Sequence, residues 1–485
     1  MDKLYDVIII GSGVVGNAIA REMSRYNLKI GVLEKELDVC NETSARNSGV
    51  LHAGFNNKPG TLMAKFCVEG NQGFDQVAKE LGVPFKRCGK LVVGFSEEDK
   101  EKLIAMKEQG EKNGVKGLEI IGKDKIKEIE PNIDGEFAMW SKTTGILNPF
   151  LLTIALAENA AANGAEYYFG NEVIDIKRVD DIYNIKTVKD TYKTRWVVNA
   201  AGLYSDRVSK MLGIDDYTIH PCRGEYFILD EKVGSKLSLP AYPVPNPKEG
   251  GLGIHLTPTI DGNVFIGPSS EYIDERDDYS ATQKIMDLLI KDGGRIFPHI
   301  RREEFIRNFA GIRPKLASKE EGGYHDFVIE MRDKSPNTIN LVGIESPGLT
   351  SSTPIAKYVV SLLKQKEELT ENENFNPIRK PIVTFNDKSV EEKEALIKEN
   401  PDYGEVICRC QTITKAEILE AINNPLGVET LTGIKYRCRA MMGRCQGGYC
   451  ETRIAGLLEE VKHKNREDVL YSREGSNMFV GKVRE

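Results

Sequence analysis

Leu4-Tyr5-Asp6-Val7-Ile8-Ile9-Ile10-Gly11-Ser12-Gly13-Val14-Val15-Gly16 joins an apolar run to a G-x-G-x-x-G turn, and that join decides the fold. Residues 4–10 read as a buried strand. From Val14 to Tyr26, apolar positions at Val15, Ile19 and Met23 recur at helical spacing, and Lys29 to Leu33 returns as a second strand. Strand, turn, helix and strand in that order open a parallel sheet with a right-handed crossover. Gly11 permits the tight turn, Gly13 lets the backbone approach a pyrophosphate, and Gly16 lets the helix pack closely on the sheet. The helix N-terminus offers free N–H groups and partial positive charge to phosphate. Glu34 ends the second strand, where a carboxylate accepts hydrogen bonds from a ribose 2′-OH and repels a 2′-phosphate. The ligand this predicts is FAD or NAD, not NADP.

The rest of the 485 residues agrees with a multidomain chain, since ~100–200 residues per domain gives two to four domains. The net charge of −7 provides no basic footprint for nucleic acid. No apolar run approaches the ~18 residues that span a bilayer, and Val7–Ile10 runs into a glycine turn rather than a cleavage site, so a cytosolic protein is expected. Further helices are predicted at about 96–113, where Ser96 and Asp99 have capping-box spacing, and at Leu151–Ala162. Val173 and Ile176 alternate like a strand, and Trp196-Val197-Val198 leads as a strand into Asn199-Ala200-Ala201-Gly202. Leu239–Gly253, rich in Pro and Gly, reads as a surface loop. A last strand at Ile339–Val342 precedes a helix from about Pro354, and the sequence turns charged after Lys364. Cys40, Cys67, Cys88 and Cys222 are scattered, whereas Cys408, Cys410, Cys438, Cys445 and Cys450 crowd together, which points to metal.

Thr43-Ser44-Ala45-Arg46-Asn47-Ser48-Gly49-Val50-Leu51-His52-Ala53-Gly54 is dense in small hydroxyl and glycine residues, suited to run close along a phosphate and ribityl chain. From Asn47 onward it resembles the flavin-facing loop of glycine/D-amino-acid oxidase-type flavoproteins. Within them the likeness is to glycerol-3-phosphate dehydrogenases and oxidases and to L-2-hydroxyglutarate oxidases. Asn199–Gly202 resembles their second dinucleotide-contacting turn, and His255–Thr259 with Asp261-Gly262 and Gly267-Pro268 resembles a substrate-domain signature. Ala310-Gly311-Ile312-Arg313-Pro314 and Gly343–Thr350 resemble the substrate arginine and the loop over the flavin ring. Cys408-x-Cys410, a gap of 34 residues and Cys445-x4-Cys450 depart from the C-x2-C pairs of zinc sites. They resemble the bacterioferritin-associated ferredoxin module, which holds one [2Fe–2S] cluster through four thiolates.

These resemblances imply an α/β fold: a Rossmann-like FAD-binding domain with an inserted α+β substrate domain built on an antiparallel sheet, then a small helical [2Fe–2S] domain. The oxidoreductase domain would span 1–370, with FAD parts at about 1–85, 145–215 and 330–370 and substrate parts at about 86–144 and 216–329. A linker at 371–400, the [2Fe–2S]-binding domain at 401–460 and a tail at 461–485 would follow. Non-covalent FAD is expected on Gly11, Ser12, Gly13, Val14, Val15, Gly16, Glu34, Lys35, Thr43, Ser44, Asn47, Ser48, Gly49, Leu51, Val173, Ala200, Ala201, Gly202, Gly348, Leu349 and Thr350. The cluster is expected on Cys408, Cys410, Cys445 and Cys450, leaving Cys438 a free thiol and Arg437, Arg439 and Arg444 to offset the cluster's negative charge.

The activity so implied is oxidation of sn-glycerol 3-phosphate to dihydroxyacetone phosphate. His52 is the expected base, since an imidazole with an ordinary pKa of about 6.5 suits removal of a hydroxyl proton. Arg313 would hold the substrate anion with its guanidinium fork, with Arg46 as an alternative or second anchor, and Ser48, His255 and Ser346 would complete the substrate site. The same groups serve L-2-hydroxyglutarate or another 2-hydroxy acid, which is the alternative substrate class; amino-acid oxidation and a substrate-free electron carrier are further alternatives. A flavin takes two electrons as hydride and a cluster carries one, so relay through the [2Fe–2S] centre to a partner is expected, with oxygen a poor acceptor. The resemblance implies a heteromer with a second flavoprotein subunit, in some assemblies with a small iron–sulfur subunit, in the cytoplasm or at the inner membrane face through a partner.

Overall fold

The computed structural model describes residues 3–245 and 253–481. The strand Leu4–Ile10 lies inside an eight-stranded sheet between two parallel neighbours, Ile30–Leu33 and Thr191–Asn199. Glu166–Tyr168 adds beyond Ile30–Leu33, and Ser335–Val342 runs parallel to the C-terminal half of Thr191–Asn199. The other half pairs antiparallel with Ile182–Thr187, which hairpins with Val173–Val179. Central parallel strands are covered on both faces, which is why Val7–Ile10 and Trp196–Val198 read as unbroken apolar runs. The helices Val14–Met23, Leu62–Leu81, Pro149–Ala162 and Gly348–Leu363 close one face around Ile19, Phe66, Leu156 and Val359.

Two helix boundaries differ from the sequence reading. Pro149–Ala162 starts earlier because the Asn148 side chain accepts a hydrogen bond from the Leu151 N–H while Pro149 occupies the first turn. The helix expected from about Pro354 begins at Gly348, with Pro354 inside it. Proline has no N–H to give the Thr350 carbonyl. Gly70 of the Leu62–Leu81 helix packs against that carbonyl, where a Cβ would stand 2.0 Å from its oxygen.

A second, nine-stranded sheet runs in the order Glu271–Tyr272, His220–Leu229, Val264–Gly267, His255–Pro258, Ala241–Pro243, Lys90–Gly94, Phe137–Ser141 and Leu118–Gly122, with Phe305–Lys315 also along His220–Leu229. Its pairings are antiparallel except that of Ala241–Pro243 with Lys90–Gly94, which is parallel. Ala241–Pro243 lies in the stretch read as a surface loop, yet Ala241 and Tyr242 are buried. The proline there costs no ladder bond at its point of contact: the Leu91 N–H donates to the Pro240 carbonyl, which a proline retains. Residues 246–252 of that stretch lie outside the described residues. Alternation sorts the two faces. Leu91, Val93, Ala138, Ala241, Leu256 and Ile266 pack under the helix Gln283–Ile296. The registers put Lys90, Val92, Tyr242, His255, Tyr226 and Arg313 on the other face.

At the C-terminus, the helices Lys415–Ile422, Leu431–Cys438 and Glu451–Lys462 share a core of Ile418, Ile422, Leu431, Ile434, Ile454 and Leu458. Thr414 and Glu417 close the reciprocal capping box that their spacing suggests. The preceding charged stretch holds a helix at Val390–Glu399, itself opened by a Ser389–Glu392 capping box.

The three arginines expected to offset cluster charge do something else. Arg437 is buried and donates to both oxygens of Asp38 at 2.6 and 2.9 Å. Arg439 pairs with Asp261, and Arg444, 64% exposed, stands 3.7 Å from Asp230. The charges of Arg437 and Arg439 are matched by carboxylates of the preceding body, so these two fasten the cysteine-rich module to it. Tyr436 adds a parallel ring stack on Phe150 at 4.4 Å. Among the described residues, no helix is long and apolar enough to cross a membrane.

Candidate functional site

A cavity of about 980 Å³ opens between the first sheet and the inner face of the second. Its floor is the glycine turn. Gly11 has a φ of +105°, and a Cβ there would stand 2.6 Å from the Ala200 oxygen. A Cβ on Gly16 would meet the Gly11 oxygen at 2.0 Å, so this crossing of turn, helix and strand admits only glycine. The Val14–Met23 helix has Gly13 as its N-cap and no capping side chain from that residue. Ser44 Oγ accepts from the Val14 N–H at 2.9 Å, tying the 43–54 segment to the turn. Glu34 accepts from the backbone N–H groups of Ser12 and Glu36, and burial pushes its carboxyl up to about 7.

A second helix N-terminus, that of Gly348–Leu363, reaches the same cavity through Ser346, Pro347, Gly348 and Leu349, and no side chain caps it. Of the expected residues, Gly13, Val14, Val15, Thr43, Ser44, Asn47, Ser48, Gly49, His52, Ala200, Gly202, His255, Arg313, Ser346, Gly348 and Leu349 are brought together on this one wall. Others lie off it. Lys35 is bound to Glu36 and Glu42, Leu51 is core, Val173 starts a sheet hairpin, and Ala201 accompanies Asn199 beneath the turn. Thr350 is buried, and its Oγ1 accepts from the His52 N–H at 3.0 Å, holding the loop rather than facing the cavity.

His52 is pinned through its backbone on both sides. Its carbonyl accepts from Asn71 Nδ2 at 3.0 Å, opposite the Thr350 contact, so the imidazole is presented to the cavity from a fixed base. Burial, with the nearby Lys90 charge, holds that imidazole down at about 3. His255 Nδ1 lies 2.9 Å from the Gly253 oxygen, its Nε2 has no partner among the described residues, and its ring stacks on Tyr242 at 3.5 Å. Arg313, on the cavity wall, donates to the Ser269 carbonyl at 3.2 Å and approaches Cys222 Sγ at 3.7 Å. Among the described residues it has no carboxylate at ion-pair distance. Arg46, also on the wall, stacks over the Tyr279 ring at 4.1 Å and leaves its buried Nε unpartnered. The sequence reading missed Tyr226, Tyr242 and Lys90; the strand alternation of Lys90 to Gly94 carried the signal for the last.

The four thiols form a second, separate centre. Cys408 and Cys410 stand with their sulfurs 3.9 Å apart, and Cys410 and Cys445 3.7 Å apart. A hydrogen bond between Cys450 and Cys408 pushes the Cys408 thiol up and holds Cys450 below the usual thiol range. Gly443 closes over them: a Cβ there would stand 2.4 Å from Cys410 Sγ. Cys408 and Cys450 are buried and Cys410 and Cys445 exposed, while Cys438 bonds the Ile434 carbonyl at 3.3 Å, outside the group.

Residues 6–362 match the family described as "FAD dependent oxidoreductase", and residues 406–460 match the "BFD-like [2Fe-2S] binding domain". The chain belongs to the FAD-dependent oxidoreductase family. This oxidoreductase is 40% identical over 481 residues to a glycerol 3-phosphate dehydrogenase of Caloramator mitchellensis, covering 99% of this chain and 98% of that one. It is 30% identical to the human mitochondrial L-2-hydroxyglutarate dehydrogenase over 75% of this chain and 90% of that one. Among solved structures, L-alpha-glycerophosphate oxidase from Mycoplasma pneumoniae, with FAD bound, superimposes with a TM-score of 0.72 at 29% identity, covering 78% of this chain and 98% of that one.

Both cofactors fit the residues present. The oxidoreductase uses FAD, for which the glycine cradle and the uncapped N-terminus of Gly348–Leu363 are suited. It carries a [2Fe–2S] module, for which the convergent thiols and the space that Gly443 leaves open are suited. The architecture is the expected one: a Rossmann-like FAD-binding fold, an inserted α+β substrate part and a small helical [2Fe–2S] domain.

Proposed function

We propose that the protein oxidises sn-glycerol 3-phosphate to dihydroxyacetone phosphate and passes the electrons through its iron–sulfur module to a partner. The observation that carries this reading is the 40% identity to a glycerol 3-phosphate dehydrogenase along 99% of the chain, cysteine module included. The site is suited to it. Arg313 is a cavity-facing guanidinium without a carboxylate partner among the described residues, and Arg46 stands on the same wall, so an anionic substrate finds two cations to hold it. Ser48, Tyr226 and Ser346 offer hydroxyls on the same wall.

His52 accepts the C2 hydroxyl proton as the C2–H bond gives up its hydride. Its low proton affinity in the free site keeps the imidazole in the accepting form throughout the physiological range. His255, backed by Tyr242, lines the same cavity with its Nε2 unpartnered among the described residues, and orients the substrate oxygen. Bound FAD supplies the hydride acceptor, and the cluster on Cys408, Cys410, Cys445 and Cys450 supplies a one-electron carrier. The exposed Cys410 and Cys445 mark the exit face toward a second flavoprotein subunit, with or without a small iron–sulfur subunit.

The 30% identity to L-2-hydroxyglutarate dehydrogenases supports a second reading, in which the same arginine holds a carboxylate. In the primary test, sn-glycerol 3-phosphate is mixed anaerobically with wild type and with His52→Asn. Dihydroxyacetone phosphate should form in wild type, and the flavin reduction rate should fall by about 10²–10⁴-fold in the variant. An unchanged rate would remove His52 from the reaction.

A further inference from the structure

The two arginines proposed as anion anchors stand over one gap in the second sheet. His220–Leu229 and Phe305–Lys315 pair so that Cys222 lies opposite Arg313, Gly224 opposite Gly311 and Tyr226 opposite Phe309. Paired residues, and residues two apart, share a face, and the glycine pair, Tyr226 and Arg313 all line the cavity. The Tyr226 and Phe309 rings stack at 4.6 Å, so side chains fill the neighbouring row while the glycine pair leaves its own row open. Each opening is filled by one of the arginines. A Cβ on Gly224 would stand 2.9 Å from Arg313 Nη2, and one on Gly311 would stand 2.0 Å from the Arg46 carbonyl oxygen. Both are well inside the roughly 3.5 Å at which a carbon meets its neighbours. A Cβ on Gly224 would also lie 3.0 Å from the Ser269 carbonyl oxygen, which accepts from Arg313 Nη2 at 3.2 Å. A side chain there would wedge between donor and acceptor.

We propose that Gly224 is a positioning residue for the anion site: having no side chain, it lets the Arg313 guanidinium lie back on the strand against the Ser269 carbonyl, and so fixes the depth at which the substrate anion is held. The inference rests on the reading of Arg313 as the anchor. Among the described residues no carboxylate stands at ion-pair distance from this guanidinium, and Cys222 Sγ, at 3.7 Å, is a weak acceptor. The Ser269 bond is therefore what aims the fork. A methyl group at position 224 would break that bond and lift the fork off the strand, toward the space that the substrate fills. Gly224 keeps regular strand register and has no left-handed backbone, so the constraint is space and not conformation. The same Cβ would stand 2.8 Å from Pro268 Cβ, a contact that does not involve the arginine, and the test separates the two.

The test is calorimetric binding of dihydroxyacetone phosphate, the product, to the oxidised, FAD-loaded full chain. KM and the limiting rate of anaerobic flavin reduction by sn-glycerol 3-phosphate are measured alongside. Gly224→Ala should weaken product binding and raise KM, each by about tenfold to a hundredfold, the worth of one charge-assisted hydrogen bond. The limiting rate should hold, because binding lost equally from ground and transition states leaves it unchanged. Added to Arg313→Met, the same change should cost no more than about a further twofold, since its target is gone. Wild-type affinity in Gly224→Ala, or a limiting rate that falls as far as the affinity, would overturn the proposal. So would the full loss repeated in the Arg313→Met background, which would assign the clash to Pro268. Should Gly224→Ala alone fail to fold, the double variant decides: recovery of folded, FAD-loaded protein supports the clash with the guanidinium, and failure to recover overturns it. Arg313→Met separates the two readings. If it binds product as wild type does, or if wild type binds none, the anchor reading fails and the role of Gly224 with it. If it binds weakly while Gly224→Ala binds as wild type does, the inference about Gly224 alone fails.

Discussion

Arg437→Met should detach the iron–sulfur module from the body that carries the flavin. The guanidinium makes two short bonds to Asp38, at 2.6 and 2.9 Å, a third to the Gly433 carbonyl at 3.0 Å, and stands 3.5 Å from Glu158. Arg437 and Asp38 side chains are 1% and 4% exposed, so solvent screens the pair little. Gly433 makes the approach possible, because a Cβ there would stand 2.5 Å from Asp38 Oδ2. Glu158 keeps a partner in Arg379 at 2.5 Å, so the charge left stranded is that of Asp38. Breaking a buried pair from one side costs about 3–5 kcal/mol, and 3 kcal/mol is roughly a 150-fold shift in the ratio of docked to undocked module. Asp38→Asn with Arg437→Met removes both charges and should recover much of that loss, leaving the double variant better than the sum of the singles by about 2 kcal/mol or more. Hydrogen exchange of the Leu431–Cys438 helix, read against the Leu4–Ile10 strand, gives the docking equilibrium directly. Unchanged exchange in Arg437→Met, or strict additivity in the cycle, would refute the reasoning.

Arg313→Met should raise the substrate KM by about thirtyfold or more, as removal of a charge from a buried charge pair costs about 2–5 kcal/mol, while FAD content stays at the wild-type level; an unchanged KM would transfer the anion to Arg46. In wild type, flavin reduction should hold its rate from neutrality down to about pH 5, because the base must be unprotonated and burial with the Lys90 charge holds His52 at about 3 rather than the ordinary 6.5. A limb near the ordinary histidine value would contradict the environment described for it. Cys445→Ser should strip iron and acid-labile sulfide and abolish the low-temperature EPR signal seen after dithionite reduction, yet leave flavin bleaching by substrate intact. Near-stoichiometric zinc in the wild type would contradict the cluster.

The opening strand, the glycine turn and the first helix were legible because each obeys a local rule: an apolar run, a turn that admits no Cβ, and helical spacing. Crowding of Cys408, Cys410, Cys438, Cys445 and Cys450 pointed to metal, and the resemblance to the ferredoxin module set Cys438 apart from the other four. What stayed hidden depends on contacts between distant segments. Ala241–Pro243 reads as loop because the flanking prolines are judged one by one, whereas the sheet uses the Pro240 carbonyl. Arg437 and Arg439 look like charge compensation for a neighbouring cluster until Asp38 and Asp261, far earlier in the chain, arrive beside them. Lys90 reads as an ordinary charged strand residue until the register places it on the face that carries Tyr242 and His255.

The most direct test of the account mixes the FAD-loaded protein anaerobically with sn-glycerol 3-phosphate and, separately, with L-2-hydroxyglutarate, and follows the flavin absorbance. The account predicts rapid bleaching by sn-glycerol 3-phosphate with dihydroxyacetone phosphate as the product, and slow or no bleaching by L-2-hydroxyglutarate. Faster bleaching by L-2-hydroxyglutarate, or none by either alcohol, would contradict it.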